Sequence, residues 1–177
     1  MFTLPVLCDV SNEREVANTI RAAVSKFGHI DILINATGIS DVELTIPIIE
    51  QSTDRWEHIL NVNLKGTYIF SKKCAAEMIN RNFGKIVNIS SVGGLVASPR
   101  TTPYGPAKSG VIMLRKQFAL EWAKHNINVN AIAPGFIRTN MLEKVLTERK
   151  ADKGELIKKI SQRRIGEPEQ VANLALF

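Results

Sequence analysis

The sequence alternates short apolar runs with longer amphipathic segments, and no other feature limits the possible fold as strongly. Strands are predicted at 3–7, 30–34, 85–90 and 128–133. Apolar residues at helical spacing predict helices at 11–27, 52–80, 104–125 and 167–174, with a loop at 39–51. A helix between two strands returns the chain to the same end of the sheet, so we expect parallel strands. The sequence therefore predicts a layered α/β fold.

Two residues mark the ends of the first predicted helix. Ser11 is a favourable N-cap, because its hydroxyl can accept a hydrogen bond from the first turn. Gly28 follows Phe27 and is a favourable stop. We therefore expect this helix to begin just after Ser11 and to end at Phe27.

Composition and length describe an ordinary globular chain. The 177 residues suffice for one domain, and the sequence predicts a single domain over 1–177. The sequence has no apolar run of about 18 residues, and its apolar start lacks the basic region of a signal peptide. Cys8 and Cys74 form neither a disulfide framework nor a metal-ligand spacing. We therefore expect a cytoplasmic protein that is not tied to a membrane and holds no metal.

Most of the positive charge lies in one segment. The net charge is +6, and 138–164 contains nine basic and four acidic residues, a balance of +5. Two interpretations stay open: a solvated amphipathic segment, or a lid that favours an anionic substrate or carrier. Nucleic-acid binding is not expected, since the chain has no nucleic-acid motif and only 6% aromatic residues.

Tyr104 and Lys108 are a candidate acid–base pair. Residues four apart on a helix project from the same face, so a phenol lies beside an ammonium group. A nearby cation lowers the pKa of a phenol from its ordinary value of ~10, which would let Tyr104 exchange protons near neutrality. Ser91 ends a predicted strand thirteen positions upstream, and its hydroxyl could hold a substrate oxygen. The alternative is an ordinary pair on a helix surface.

Five motifs occur in the order found in one enzyme family. They are Asp9-Val10, Asn35-Ala36-Thr37-Gly38, Asn61-Val62-Asn63-Leu64-Lys65-Gly66, the trio Ser91, Tyr104 and Lys108, and Pro134-Gly135-Phe136-Ile137-Arg138-Thr139. Together they resemble the short-chain dehydrogenase/reductase family in its common single-domain form. The resemblance runs from Asp9 to about Leu176 and implies a Rossmann-like, three-layer α/β fold with a parallel sheet.

The resemblance implies a catalytic role for four residues. Tyr104 would exchange a proton with the substrate oxygen, and Ser91 would orient that oxygen. Lys108 would lower the pKa of Tyr104 and bind the nicotinamide ribose. Asn63 would interrupt its helix and hold a water of a proton relay; its alternative is an ordinary helix-surface amide. The implied reaction is hydride transfer between NAD or NADP and a secondary alcohol or ketone.

The resemblance also implies a set of cofactor contacts. They are Asp9, Val10, Asn35, Ala36, Gly38, Tyr104, Lys108, Pro134, Gly135, Ile137 and Thr139. For three of these the structural alternative stays open. Asp9 could be a strand-end or N-cap carboxylate, and Ile137 and Thr139 could simply close a turn. Ala36 departs from the family, which has a second asparagine there.

Some elements of the family are missing from the sequence. The first two strands, with the glycine-rich turn that binds the cofactor's pyrophosphate, have no counterpart, and neither has the last strand. The choice between NAD and NADP cannot be read, because it is set on the second strand. We expect the strand at 30–34 to expose an unpaired edge, unless 3–7 moves beside it or another chain fills it.

Two functions from different classes follow. The first is an oxidoreductase of 3-oxoacyl reductase-like or sugar-acid dehydrogenase-like type. The second is a truncated chain that binds no cofactor and serves as an assembly partner or fragment. In either case the family implies a homodimer or homotetramer formed through the helices at 52–80 and 104–124.

Overall fold

Three parallel strands form the sheet, in a computed structural model that describes residues 2–40, 47–99, 101–148 and 152–177. The strands are β1 (Ile32–Asn35), β2 (Gly84–Ile89) and β3 (Ile127–Ile132), in the spatial order β1-β2-β3. In the register, Ile32 lies opposite Lys85, and Lys85 lies opposite Asn128. The three strands predicted at 30–34, 85–90 and 128–133 are confirmed with ends shifted by one or two residues.

Helices connect these strands and follow them. They are α1 (Glu13–Phe27), α2 (Thr53–Leu60), α3 (Gly66–Arg81), α4 (Tyr104–Trp122), α5 (Asn140–Glu148), α6 (Lys153–Lys158) and α7 (Pro168–Leu176). A π-helical segment, Asn61–Lys65, joins α2 to α3. Three-residue 3₁₀ turns lie at Ile48–Glu50, Val92–Gly94 and Ala123–His125. Part of the predicted loop at 39–51 lies outside the described residues.

The first helix begins one residue later than its sequence predicts. Asn12, not Ser11, is the N-cap, because its side-chain oxygen accepts hydrogen bonds from the N–H groups of Arg14 and Glu15. The Ser11 hydroxyl is engaged elsewhere and donates to Asp9 Oδ1 at 2.8 Å. The end of the helix is as predicted: Gly28 has a φ of 84°, a conformation that suits glycine.

The core lies between one face of the sheet and helices α1, α3 and α4. Side chains from all three helices and from β2 and β3 form it: Val16, Ile20, Ile69, Cys74, Ala75, Met78, Ile86, Phe118, Trp122, Ile127 and Val129. Phe118 and Trp122 stack with their ring centroids 4.4 Å apart. Burial of this apolar surface is the main force that holds the helices on the sheet.

Residues 3–7 do not form the predicted strand. The described segment 2–9 has no regular structure, and Phe2 and Leu7 are 90% and 100% exposed. A groove of about 230 Å³, lined by Val6, Cys8 and Leu33 among others, lies between this segment and β1. The free edge of β1 lies across this groove, but the backbone of 3–7 does not pair with it. Apolar sequence alone does not make a strand.

The opposite face of the sheet and the outer edge of β1 are largely uncovered. Ile32 and Ile34 are 58% and 47% exposed, and Lys85, Asn128 and Asn130 on the same face are also exposed. The Rossmann-like parallel sheet with flanking helices is therefore confirmed, in the truncated form that the sequence predicts. Among the described residues, no helix has the length and apolar character needed to cross a bilayer.

Candidate active site

Ser91 lies at the carboxyl end of β2, the edge where parallel sheets bind ligands. Its side chain caps the turn Val92–Gly94, and its Oγ accepts a hydrogen bond from Gly93 N at 3.1 Å. The N–H of Val92 donates to Pro134 O at 2.9 Å. This bond ties the loop after β2 to the loop after β3, so both loops lie at one edge of the sheet.

Tyr104 begins α4 and lies beside Ser91. A Cβ added to Gly93 would be 3.5 Å from Ser91 Oγ and 3.9 Å from Tyr104 Cε1, so that one small residue touches both. Burial raises the pKa of Tyr104 above its ordinary value, and a hydrogen bond with Ser91 offsets part of that rise. Tyr104 is therefore protonated at neutral pH and holds a proton that it can donate.

Lys108 lies one helical turn after Tyr104 and is only 4% exposed. Its Nζ donates to Ile89 O at 2.9 Å and lies 5.7 Å from the centroid of the Tyr104 ring. Burial lowers the pKa of Lys108 to about 8. The expectation that the pKa of Tyr104 lies below its ordinary value is wrong for this structure, because burial of the phenol raises that pKa.

Asn63 lies in the π-helical segment and is fully buried. Its Nδ2 donates to Ile59 O at 3.0 Å and to Ile39 O at 2.8 Å. The extra residue of a π turn interrupts the regular hydrogen bonds of a helix, and the Asn63 amide satisfies carbonyl groups at that point. The interruption of the helix at Asn63 is thus present, and the alternative of a surface amide is wrong.

Gly38 connects Asn63 to Lys108. A Cβ at Gly38 would lie 2.7 Å from Asn63 Oδ1 and 3.3 Å from Lys108 Nζ, so the position has no room for a side chain. Asn63 Oδ1 is itself buried and has no hydrogen-bond partner in the part of the chain that the structure describes. The turn after β1, the π segment and α4 therefore meet at one point.

The other residues of the turn after β1 serve different purposes. Asn35 Nδ2 donates to Ser71 Oγ at 3.0 Å and to Asn88 Oδ1 at 2.8 Å, which ties β1 to α3 and β2. Ala36 has an exposed side chain that makes no such link. Asn35 thus links β1 to its neighbours. Of the two asparagines typical of the family at this turn, the chain has the first and has Ala36 in place of the second.

Val10 lines the same groove as Asn35 and Thr37, whereas Asp9, the residue before it, is not among the residues that line this groove. The Asp9 carboxylate accepts hydrogen bonds from Ser11 N and Ser11 Oγ, and these bonds lower the pKa of Asp9. Val10 packs on Gly66, where an added Cβ would lie 2.7 Å from Val10 Cγ2. The described contacts of Asp9 are structural, although it is neither the N-cap, which is Asn12, nor the end of a strand.

Of the predicted cofactor contacts after β3, only Pro134 is linked to the Ser91 loop by a described hydrogen bond. Pro134 lies near Ser91 through its bond to Val92, but Gly135 has no atom within 4 Å of an added Cβ. Ile137 pairs with Gly166 in an isolated parallel bridge. Thr139 Oγ1 accepts from Leu142 N at 3.3 Å and caps α5. The described contacts of Ile137 and Thr139 thus match the turn-closing alternative.

Three residues of the site are absent from the sequence prediction. Ser90 Oγ donates to Lys108 O at 2.8 Å, and Ser109 Oγ donates to Gly94 O at 2.7 Å. A Cβ on Gly94 would lie 2.7 Å from the Lys108 carbonyl carbon. The alternation of β2 indicates that Ser90 points inward, as Ile86 and Asn88 do, but its partner depends on where α4 packs.

The chain has clear relatives among known proteins. The family model described as enoyl-(acyl carrier protein) reductase matches residues 2–177. A 3-oxoacyl-[acyl-carrier-protein] reductase from Thermotoga maritima is 38% identical over 173 residues, which are 98% of this chain and 68% of the relative. The chain thus spans about two thirds of the length of this relative.

Solved structures agree with this match. An NAD⁺-bound xylitol dehydrogenase is 30% identical with a TM-score of 0.87, over 96% of this chain and 70% of that one. A gluconate 5-dehydrogenase from Burkholderia cenocepacia, in complex with NADP and tartrate, is 31% identical with a TM-score of 0.87, over 97% and 66%. The chain therefore belongs to the short-chain dehydrogenase/reductase family of oxidoreductases.

Proposed function

We propose that the chain carries the active site of an NAD(P)-dependent oxidoreductase that interconverts a secondary alcohol and a ketone. One observation carries the proposal: Ser91, Tyr104, Lys108 and Asn63 come together at the carboxyl edge of the sheet, although they are separated in sequence. Two of them, Asn63 and Lys108, are polar side chains almost without exposure. Burial of such groups costs free energy, so their retention favours a chemical role.

In this proposal Tyr104 is the general acid/base. When a ketone is reduced, the protonated Tyr104 Oη donates to the substrate oxygen, and in the reverse direction it accepts the proton. Ser91 Oγ, beside the ring, orients the same oxygen. Lys108 Nζ and Asn63 Oδ1 meet at Gly38, and the unpartnered Asn63 Oδ1 is suited to hold a water that returns the proton to solvent.

The residues present fit one half of a dinucleotide. Lys108 would bind the nicotinamide ribose, and of the other predicted contacts Gly38 lies beside its Nζ. The nicotinamide supplies the hydride when it is bound. The phosphate half is not matched in the same way, because the sequence has no glycine-rich turn at the start of a helix. Whether NAD or NADP is used is open; the xylitol and gluconate dehydrogenases cited above hold one each.

The relatives favour a 3-oxoacyl or sugar-acid substrate. The Thermotoga relative is a 3-oxoacyl-[acyl-carrier-protein] reductase, and one solved structure is a gluconate 5-dehydrogenase. Both substrate types carry an anionic group, and 138–164 is the most basic part of this chain. Among the described residues, Lys144, Lys153 and Lys159 on or beside α5 and α6 are exposed and have no ion pair. This supports the lid interpretation of the segment.

A second candidate function is an assembly partner that binds no cofactor. The observation that favours it is the bare edge of β1 beside the unpaired segment 2–9. In the order of the family, two strands would lie in that place and carry the phosphate-binding turn. In this alternative the four site residues are present but have no catalytic function.

Cofactor binding separates the two candidates. We would titrate the purified chain with NADH and with NADPH and follow the nucleotide fluorescence, using Tyr104→Phe as the control for turnover. The missing phosphate-binding turn predicts that this chain alone binds weakly or not at all. Binding in the micromolar range together with turnover that Tyr104→Phe abolishes would establish the oxidoreductase in this chain. Weak binding with turnover that Tyr104→Phe abolishes would still support the oxidoreductase, whereas the absence of both binding and turnover would favour the assembly partner.

We further propose a homodimer or homotetramer of a cytoplasmic protein, formed through the helices at 52–80 and 104–124, which comprise α2, the π segment and α3 on one side and α4 on the other. An open groove of about 490 Å³ runs between these helices, lined by Leu60, Leu64, Tyr68, Met113 and Leu114 among others. Leu120 on α4 is 83% exposed and is available to contact a partner on this face. Light scattering after size exclusion tests this assembly. Leu120→Glu is expected to dissociate it, and an unchanged mass would exclude an interface through this face.

A further inference from the structure

Two consecutive residues at the end of β2 hydrogen-bond to Lys108, one to its side-chain amine and the other to its backbone carbonyl. The carbonyl oxygen of Ile89 accepts from Lys108 Nζ at 2.9 Å, and Ser90 Oγ donates to the carbonyl oxygen of Lys108 at 2.8 Å. Ser90 and Lys108 are 3% and 4% exposed, so water does not compete for these bonds. Ser91 is the next residue in the chain. The strand that ends in Ser91 therefore also sets the position of Lys108.

The backbones are in close contact at this point. The loop after Ser91 approaches so closely that a Cβ on Gly94 would lie 2.8 Å from Lys108 O. Ser90 is anchored from its other side as well, because its N–H donates to Ile132 O in β3 at 2.7 Å. A small residue with a hydroxyl donor meets both demands of the position: it fits the narrow space, and it reaches the helix carbonyl.

We propose that Ser90 is a positioning residue that fixes Lys108, and through the first turn of α4 also Tyr104, relative to Ser91. The inference rests on the proposed function, which gives Tyr104 and Lys108 their catalytic roles. The position of Lys108 can be tested without measuring turnover. Without the Ser90 bond, the backbone of α4 at Lys108 loses its hydrogen bond to the end of β2, and only the bond from Lys108 Nζ to Ile89 O remains there. A shift of about 1 Å at a reacting group can cost about 10²-fold in rate.

The test compares the accessibility and ionisation of Lys108 in four forms of the full chain: wild type, Ser90→Ala, Ser90→Cys and Ser109→Ala. The chains are acetylated with acetic anhydride over a range of pH, and modification of Lys108 is measured by peptide mass spectrometry. Ser109→Ala is the matched control, since its hydroxyl bonds the same loop at Gly94 O, without touching the Lys108 carbonyl. The Ser109 side chain is exposed, so this variant also shows how far the loss of a nearby hydroxyl by itself changes the reactivity of Lys108.

In the wild type, Lys108 is expected to react slowly and to titrate at a pH near 8. Ser90→Ala is expected to raise its reactivity at least about fivefold, because the amine gains access to water, and to move its midpoint upward. Ser90→Cys is expected to lie in between, since a thiol is a weak donor. Ser109→Ala is expected to match the wild type.

A different pattern would overturn the inference. If Ser90→Ala unfolds more easily in urea but Lys108 keeps the reactivity and midpoint of the wild type, Ser90 has a structural role alone. If Ser90→Ala does not fold, Ser90→Cys provides the same comparison. Where turnover is measurable, Ser90→Ala should lower kcat about tenfold and leave KM within about twofold. Absence of turnover in every form counts against the proposed function, and the labelling result still decides the role of Ser90.

Discussion

Tyr104 and Lys108 ionise in surroundings that exclude most of the water around them. Loss of hydration disfavours the charged form of each group, so burial raises the pKa of the Tyr104 phenol and lowers the pKa of the Lys108 ammonium to about 8. The two effects act in opposite directions on neighbouring side chains. Near neutral pH the result is a protonated tyrosine beside a lysine that can lose its proton at moderately alkaline pH.

The lowered pKa of Lys108 makes the stability of the chain depend on pH. An unfolded lysine keeps its proton up to about pH 10.5, whereas folded Lys108 releases it near pH 8. Between these values the unfolded state binds more protons, so the free energy of unfolding rises with pH. From pH 8 to pH 10 we expect a gain on the order of 2 kcal/mol from this group. Urea unfolding at several pH values measures it.

Lys108→Met is the control for this pH dependence, because it keeps the length of the side chain and removes the titrating group. The variant should lose the rise between pH 8 and pH 10. The raised pKa of Tyr104 acts in the opposite sense above about pH 10, where the folded state keeps a proton that the unfolded state has lost. A wild-type chain whose stability falls steadily from pH 8 upward would contradict this account of Lys108.

Gly38 is the second residue with a measurable consequence. We expect Gly38→Ala to cost about 1–3 kcal/mol of unfolding free energy, because its Cβ would overlap Asn63 Oδ1 and crowd Lys108 Nζ. Gly135→Ala is the matched control, since nothing lies within 4 Å of its added Cβ. Chemical denaturation of both variants compares them. Equal effects of the two substitutions would show that contact at Gly38 is not the cause.

At the scale of elements, the connection between α2 and α3 divides the helix that apolar periodicity predicts at 52–80. Five residues, Asn61–Lys65, form a π turn, and the buried Asn63 bonds carbonyl groups of Ile59 and Ile39. Apolar periodicity continues through the segment, so the interruption is invisible in the hydrophobic pattern. Resemblance to the family predicted it, and the packing of the turn after β1 against the helix explains it.

Asn63→Leu tests the π turn. Leucine has a similar volume but no donor, so two buried carbonyl groups would lose their partner, and we expect a loss of about 2–3 kcal/mol in unfolding free energy. Asn61→Leu, in the same π segment with an exposed side chain, should change stability by less than about 0.5 kcal/mol. Urea unfolding followed by circular dichroism compares the two. Similar losses for both would mean that the Asn63 amide does not support the turn.

At the scale of the whole molecule, the sheet ends in an edge that nothing covers among the described residues. The backbone groups on the outer side of β1 are unpaired, and Ile32 and Ile34 are about half exposed. The apolar segment 2–9 lies beside this edge without pairing to it. Exposed strand edges with apolar side chains recruit strands from other molecules.

We therefore expect the purified chain to associate in a concentration-dependent manner through β1. Ile34→Lys should reduce this association, because a charge on an edge strand opposes pairing. Ile49→Lys is the control: Ile49 is 93% exposed and lies in a 3₁₀ turn away from the sheet. Static light scattering over a concentration series provides the measurement. Equal reductions in both variants would point to general solubility, and not to the edge.

Local sequence was enough to predict the parallel α/β pattern, three of the four proposed strands, the limits of α1 to within one residue and the start of α4, while motif order suggested the site residues. Each depends on local periodicity, on turn residues or on motif order, which are written along the chain. Only the tertiary structure shows that 3–7 forms no strand, because this segment does not pair with the free edge of β1 beside it. It also decided the ionisation of Tyr104 and Lys108 and the contacts of Ser90 and Gly38. Those properties arise from burial and from contacts between distant segments, which local sequence does not contain.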